Sequence, residues 1–148
     1  MKQRAVFALG VFVMVILISG CASLSRTEQT TLRELKAYGI SETEIQKKHP
    51  AAAGGLNILP GFGNFYLAYD TDESSQWLFG FLNLLTWPVS VVWGIPQGVI
   101  DANTINKKET IYYYTYDKIG KQELEKLKLE VNQIPPTNQV RPAVQADQ

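Results

Sequence analysis

The chain has 148 residues, with 14 Lys+Arg against 14 Asp+Glu and a formal net charge of zero. That length suits one modest domain and excludes two large ones. The charge balance excludes a dedicated nucleic-acid binder, which needs surplus cations for phosphate contacts. One Cys and one His exclude an internal disulfide framework, a cysteine-based metal knuckle and a His-rich metal site, and no cofactor is implied. A mean hydropathy of −0.09 averages over unlike parts, because the charges are crowded into the flanks.

Lys2 and Arg4 open the chain, and an uncharged apolar run from Ala5 to Ile18 follows. A basic start, an apolar stretch and small residues before a cleavage point describe a secretory signal peptide over residues 1–20. The run ends in Ile18-Ser19-Gly20-Cys21, which resembles the lipobox of bacterial lipoproteins. The resemblance implies that Cys21 receives a diacylglyceryl group, that the peptide before it is removed, and that the new amino terminus is acylated. Membrane lipid is then the partner of Cys21, held by three chains rather than the marginal grip of one. A plain signal anchor fits less well, since a span needs ~20 apolar residues. Loss of Lys2 and Arg4 leaves acidic residues in excess by two. Ala22 stands where, in that family, Asp favours the inner membrane, which implies the periplasmic side of the outer membrane.

Residues 21–30 read as the lipidated Cys and a polar tether. Residues 31–49 read as a pair of short helices. Thr31-Leu32-Arg33-Glu34 and Ser41-Glu42-Thr43-Glu44 match capping boxes, Gly39 is a helix stop, and Ile40 and Ile45 are spaced as a hydrophobic staple. Pro50 closes the pair at His49. The run from Leu32 through Gly39-Ile40-Ser41 to Lys47 is weakly similar to the short C-terminal helical module that accompanies membrane hairpins.

Residues 50–106 form an apolar, hairpin-like block. Pro50–Tyr69 and Ser74–Ile100 carry no charge, and Asp70-Thr71-Asp72-Glu73 separates them. The first stretch reads as a helix to Leu59, a turn at Pro60-Gly61 and a second piece to Tyr69. The second would span roughly 36 Å as one helix from Trp77 to Ile100. Leu59-Pro60-Gly61-Phe62-Gly63-Asn64-Phe65-Tyr66-Leu67 resembles the opening motif of two-transmembrane-hairpin families, which share Gly-x-Gly-x-x-Tyr and a later acidic residue. Asp101 stands at the place of that acid. Pro88 and Pro96, within the second segment, depart from the pattern. A full crossing would also place the acidic turn in the cytoplasm and Lys47, Lys48, Lys107 and Lys108 outside, against the positive-inside tendency. A hairpin held in one leaflet, or packed on partner subunits, fits better, with Trp77, Trp87 and Trp93 suited to an interface. The core of a small soluble helical domain is the other reading. Gly61-x-Gly63 is no dinucleotide fingerprint, because Tyr66 replaces the third Gly and no strand precedes it.

Residues 107–134 form a polar C-terminal region, and 135–148 read as a disordered tail. Val99–Glu109 continues as helix, with Ile100 and Ile105 inward. Thr110–Tyr116 has strand propensity, which leaves a short β segment at 110–116 open. Lys121–Gln133 reads as a helix with Lys121–Glu125 and Lys126–Glu130 at i,i+4. The expected fold is mainly α. With Cys21 acylated and His49 beside Pro50, no catalytic constellation emerges, and Asp70, Asp72 and Glu73 read as an ordinary acidic turn. The expectation is a non-enzymatic, lipid-anchored envelope lipoprotein that self-associates or meets an envelope partner. An accessory subunit docking through the Trp-rich segment is the alternative, and an Asp- or Glu-based hydrolase a more remote one.

Overall fold

The computed structural model describes residues 22–133, which fold mainly as α-helix. Six helices occur among them: α1 (Arg26–Ala37), α2 (Pro50–Leu56), α3 (Phe62–Ala68), α4 (Ser75–Leu85), α5 (Ser90–Tyr116) and α6 (Lys118–Gln133). The expected signal peptide, the lipobox-like run ending at Cys21, and the expected tail from 135 lie outside the described residues.

Helix α1 begins a turn and a half before Thr31. Ser25 is its N-cap: its side chain accepts from the Glu28 N–H at 3.3 Å, and the Glu28 carboxylate accepts from the Ser25 N–H at 2.6 Å. The capping box is therefore Ser25–Glu28, and Thr31 lies mid-helix, its hydroxyl donating to the Thr27 carbonyl at 3.1 Å. Half of the expected tether is helix. Gly39, at φ +85°, stops the helix, and the Ile40 N–H folds back onto the Leu35 carbonyl at 3.2 Å.

The second expected helix, over 41–49, is not formed; the segment is a series of turns and bends. Its backbone donors are taken by α5 instead. The Ile45 N–H donates to Thr110 Oγ1 at 3.0 Å, and the Lys48 N–H donates to Asn106 Oδ1 at 2.8 Å. The Asn106 amide returns a bond to the Lys48 carbonyl at 2.7 Å. These long-range bonds fix the strap in an extended path that a capping box alone does not foresee.

Pro50 opens α2 as its first residue, where a missing N–H costs nothing. The turn at Pro60-Gly61 and the short α3 follow as expected. The second uncharged stretch divides: Thr86 ends α4, Trp87-Pro88 is a cis peptide, and α5 begins at Ser90. The hairpin is thus α4 and α5 rather than a single span. Among the described residues, no helix is long and apolar enough to cross a membrane.

The short β segment considered for 110–116 is helix, the last two turns of α5. Ile111 and Tyr114, three apart on one helical face, bury against Leu32, Leu35 and Ile40, with Leu124 and Leu127 of α6 closing over them. That packing, worth about 1.5–3 kcal/mol per buried apolar side chain, overrides the strand preference of Thr and Tyr. Asp117 then caps α6, its carboxylate accepting from the Ile119 N–H at 2.8 Å, so that helix starts three residues earlier than expected. A second cluster, Ala53, Leu67, Ala102 and Ile105, sits at the middle of α5. Ile105 points inward, but Ile100 is 55% exposed, a correction to its expected place.

Candidate functional site

In the uncharged block, the usual inside–outside order is reversed. Asn57, Asn64, Gln76, Asn83 and Ser90 are buried, while Ile58, Leu59, Leu78, Phe81, Leu85, Trp87, Val89 and Val92 are exposed. Leu85 and Val92 are the extreme cases, at 81% and 79% exposure. Contiguous exposed apolar patches mark interaction surfaces.

All of these buried polar groups except Asn57 form one connected chain of bonds. The Asn83 amide donates to Asn64 Oδ1 at 2.8 Å, the Asn64 amide to Gln76 Oε1 at 2.7 Å, and the Gln76 amide to Asp101 Oδ2 at 2.9 Å. The other Asp101 oxygen accepts from the backbone N–H of Ala22 at 2.9 Å. At the far end, the Trp93 indole N–H reaches Asn83 Oδ1 at 3.4 Å, and Ser90 donates to the Asn83 carbonyl at 2.7 Å. Burial pushes the Asp101 carboxyl above its ordinary range, with Glu73 adding to the effect. The Gln76 amide, the Ala22 N–H and the nearby Gln97 amide pull against it. Gln97 Nε2 itself reaches hydrogen-bond geometry with no acceptor among the described residues.

The Gly-x-Gly motif is a packing device. Gly61 caps α3 at φ +84°, and a Cβ there would lie 2.1 Å from the Gly80 carbonyl oxygen of α4. A Cβ on Gly63 would lie 2.2 Å from the Ala53 carbonyl oxygen. The Gly63 N–H instead donates to Asn57 Oδ1 at 3.0 Å, and the Asn57 amide donates to the Gly94 carbonyl at 2.6 Å. Pro60 precedes this pair in the turn. Tyr66 lies on the other side of α3, its hydroxyl accepting from the His49 N–H at 3.0 Å. The Lys48 ammonium donates to the carbonyls of Tyr66 (2.8 Å) and Tyr69, at the C-terminal end of α3, and stands 4.8 Å over the Tyr66 ring. Burial lowers the pKa of this lysine.

The contacts Asn57–Gly94 and Gly61–Gly80 put the α2–α3 turn against the middle of α4 and the first turns of α5. Most exposed apolar side chains of the uncharged block therefore lie toward this end of the molecule, while Ile119 and Leu129 of α6 are exposed apart from them. Phe65 anchors an aromatic group there, with ring centroids 5.5 Å from Trp77 and 5.2 Å from Phe81. The other end holds the charges. Glu73 of the acidic turn pairs with Lys108, Lys47 with Glu109 at 3.0 Å, and Glu42 with both Lys36 (2.7 Å) and Lys107 (2.6 Å).

At that charged end, α1, the acidic turn and α5 enclose an open groove of about 780 Å³, lined by Glu28, Lys47, Asp72, Lys108 and the stacked Tyr112 and Tyr116. Of the four tyrosines in 110–116, Tyr114 packs in the core and Tyr112 and Tyr116 face this groove. Among the described residues, no group of three His, Asp or Glu is placed to hold a metal ion.

No protein-family model, curated protein or solved structure matches the chain.

Of the motif residues singled out in the sequence, Gly61, Gly63, Tyr66 and Asp101 come together around α3 and α5. Cys21, with Ile18, Ser19 and Gly20, precedes the described residues, but its neighbour Ala22 is bonded to Asp101. Sequence reasoning missed Asn64 and Gln76 as parts of this network, and missed the separate ties made by Asn57 to Gly63 and Gly94 and by Lys48 to α3 and α5. Gln76 and Asn83, seven residues apart on one face of α4, are the signal the sequence offers for an inward polar stripe inside an apolar segment.

Proposed function

We propose that the chain is a non-enzymatic, lipid-anchored lipoprotein of the bacterial envelope, with an apolar block that associates with the membrane. The observation that carries this reading is the burial pattern of the uncharged block: around a small core of Ala53, Leu67 and Phe79, amides and a hydroxyl are inside while many Leu, Val, Phe and Trp side chains lie outside. Its support from the sequence is the lipobox-like Ile18-Ser19-Gly20-Cys21 behind an apolar leader. An apolar end suits hydrocarbon, and the buried amides of Asn57, Asn64, Gln76 and Asn83 find their partners inside the fold. Ala22 after Cys21 favours the periplasmic side of the outer membrane.

Radiolabelled palmitate incorporation with separation of the two membranes tests the anchor. Label on the wild type, lost in Cys21→Ser and recovered in the outer-membrane fraction, is the expected result; absence of label sinks the anchor. A mature Cys21→Ser form that is soluble and monomeric without detergent overturns the membrane-associating block. The exposed Trp77 and Trp87 also suit docking on a larger envelope complex, and crosslinks from them to another membrane protein would favour that accessory-subunit reading.

A further inference from the structure

The position of Asp101 bears on how deep the apolar end sits. Cys21 directly precedes Ala22 in the sequence. The Ala22 N–H is bonded to Asp101, which fixes the level of Ala22 along α5. That level is also the charge boundary: residues 74–100 carry no charge, Asp101 is the first after them, and Lys107, Lys108 and Glu109 follow within two turns. From Asp101 back to Ser90, α5 rises roughly 17 Å at 1.5 Å per residue. One leaflet of a ~30 Å hydrocarbon core is about 15 Å thick. The other elements agree with this axis. Gln76, at the start of α4, is level with Asp101, and Asn83, two turns later, is level with Ser90 and Trp93. Glu73 and the carbonyls of Tyr66 and Tyr69 meet Lys108 and Lys48 on the charged side.

We propose that the α4–α5 end inserts into a single leaflet as far as Asp101, and that the Asp101–Ala22 bond sets this depth by holding the acylated residue at the interface. This rests on the lipoprotein reading above. The occupant of the apolar face is the acyl chains of the leaflet that receives the Cys21 lipids. Trp77, near the Asp101 level, lies at the headgroup boundary, and the α4–α5 turn reaches the region of the bilayer midplane without crossing it.

Spin labels on introduced cysteines test the depth, since Cys21 itself is blocked by acylation. Ile100→Cys, Val92→Cys and Leu85→Cys replace exposed side chains and form a ladder along the hairpin. The acylated full-length protein in vesicles of its host's phospholipids is probed with oxygen, which concentrates in hydrocarbon, and a water-soluble nickel chelate, which does not. Accessibility to oxygen over nickel should be low at Ile100 and high at both Val92 and Leu85, each nine residues below the Gln76–Asp101 level, with Val92 about 12 Å deeper than Ile100. Equal, high accessibility of all three to nickel overturns the proposal, and so does a ladder that falls again beyond the midplane. Low accessibility to both reagents means a protein covers the face and also overturns it.

Asp101→Ala, with circular dichroism confirming helix content, should bring all three labels closer to water while palmitate incorporation stays intact. An unchanged ladder in a folded Asp101→Ala overturns the role of the bond. Should that variant fail to fold, Asp101→Asn, which keeps an acceptor oxygen for Ala22, should leave the wild-type ladder in place, and a lost ladder there overturns that role as well. Failure of the parent reading is separate: it is the absence of acyl label on the wild type.

Discussion

Gly61 shows how much one backbone position decides. Its φ of +84° is costly for any residue with a Cβ, and the Gly80 carbonyl oxygen occupies the space a Cβ would need. Gly61→Ala should lower the unfolding free energy by about 3 kcal/mol, from strain plus overpacking, read as a shift in a urea transition followed by circular dichroism. Gly55, with open space around its Cβ position, is the control: Gly55→Ala should stabilise α2 by up to about 1 kcal/mol. Gln76 is decisive in another way. Gln76→Leu would leave Asp101 Oδ2 and the Asn64 amide without partners, at about 1–3 kcal/mol for each buried orphan. Glu42 is a milder case, since its side chain is a third exposed. Hydrogen bonds from Lys107 and then Lys36 hold its carboxyl down from 4.5 to about 2. A carboxyl lowered in the folded state contributes stability that is complete above 4.5 and fades as pH falls through about 2. Solvent screening keeps that contribution below about 1 kcal/mol. Glu42→Gln should therefore cost a small amount of stability at pH 7 and progressively less as pH falls from 4.5 through about 2, measurable as converging thermal midpoints.

At the scale of the elements, α5 is the axis on which the others are arranged, and its last two turns test what makes it helical. Residues 110–116 prefer strand locally but are helix because Ile111 and Tyr114 meet Leu32 and Leu35 of α1. Leu35→Ala should destabilise the protein by about 2–5 kcal/mol and should speed amide hydrogen exchange selectively in 110–116, while α4 keeps its protection. Uniform loss of protection would count against two separable clusters. The same elements show what the sequence discloses. Gly39, Pro50 and Pro60-Gly61 mark their turns because φ and the missing N–H act locally, and the polar spacing of Lys121–Gln133 is enough to reveal α6. The strap over 41–49 was not legible: its capping-box letters are real, but its donors are claimed by Thr110 and Asn106, more than fifty residues away. Likewise nothing local to Asn83 shows that Asn64 and Gln76 meet it in the fold. Asp101 was legible as a position, but its bond to Ala22 was not.

The whole molecule is polarised, with ion pairs and the open groove at one end of α5 and exposed apolar side chains at the other. This arrangement separates stability from membrane affinity. Leu85 and Val92 contribute little to the fold, being largely exposed, so Leu85→Lys or Val92→Lys should leave the unfolding transition within about 0.5 kcal/mol of wild type. If that end enters hydrocarbon, the same changes bring a charge into it, at about 2.5–3.5 kcal/mol near the centre of a bilayer. Ile119 is a matched control, 60% exposed but at the start of α6, beyond the charged end of α5. The comparison is cleanest in the mature Cys21→Ser form, where lipid chains no longer mask the protein's own affinity. Flotation with phospholipid vesicles should then show a drop in partitioning of roughly 100-fold for Leu85→Lys, given that cost and 1.4 kcal/mol per factor of ten. Ile119→Lys should float like its parent. Equal effects from the two ends would mean that charge, not the apolar surface, governs binding, and no effect from either would mean that the surface does not meet lipid.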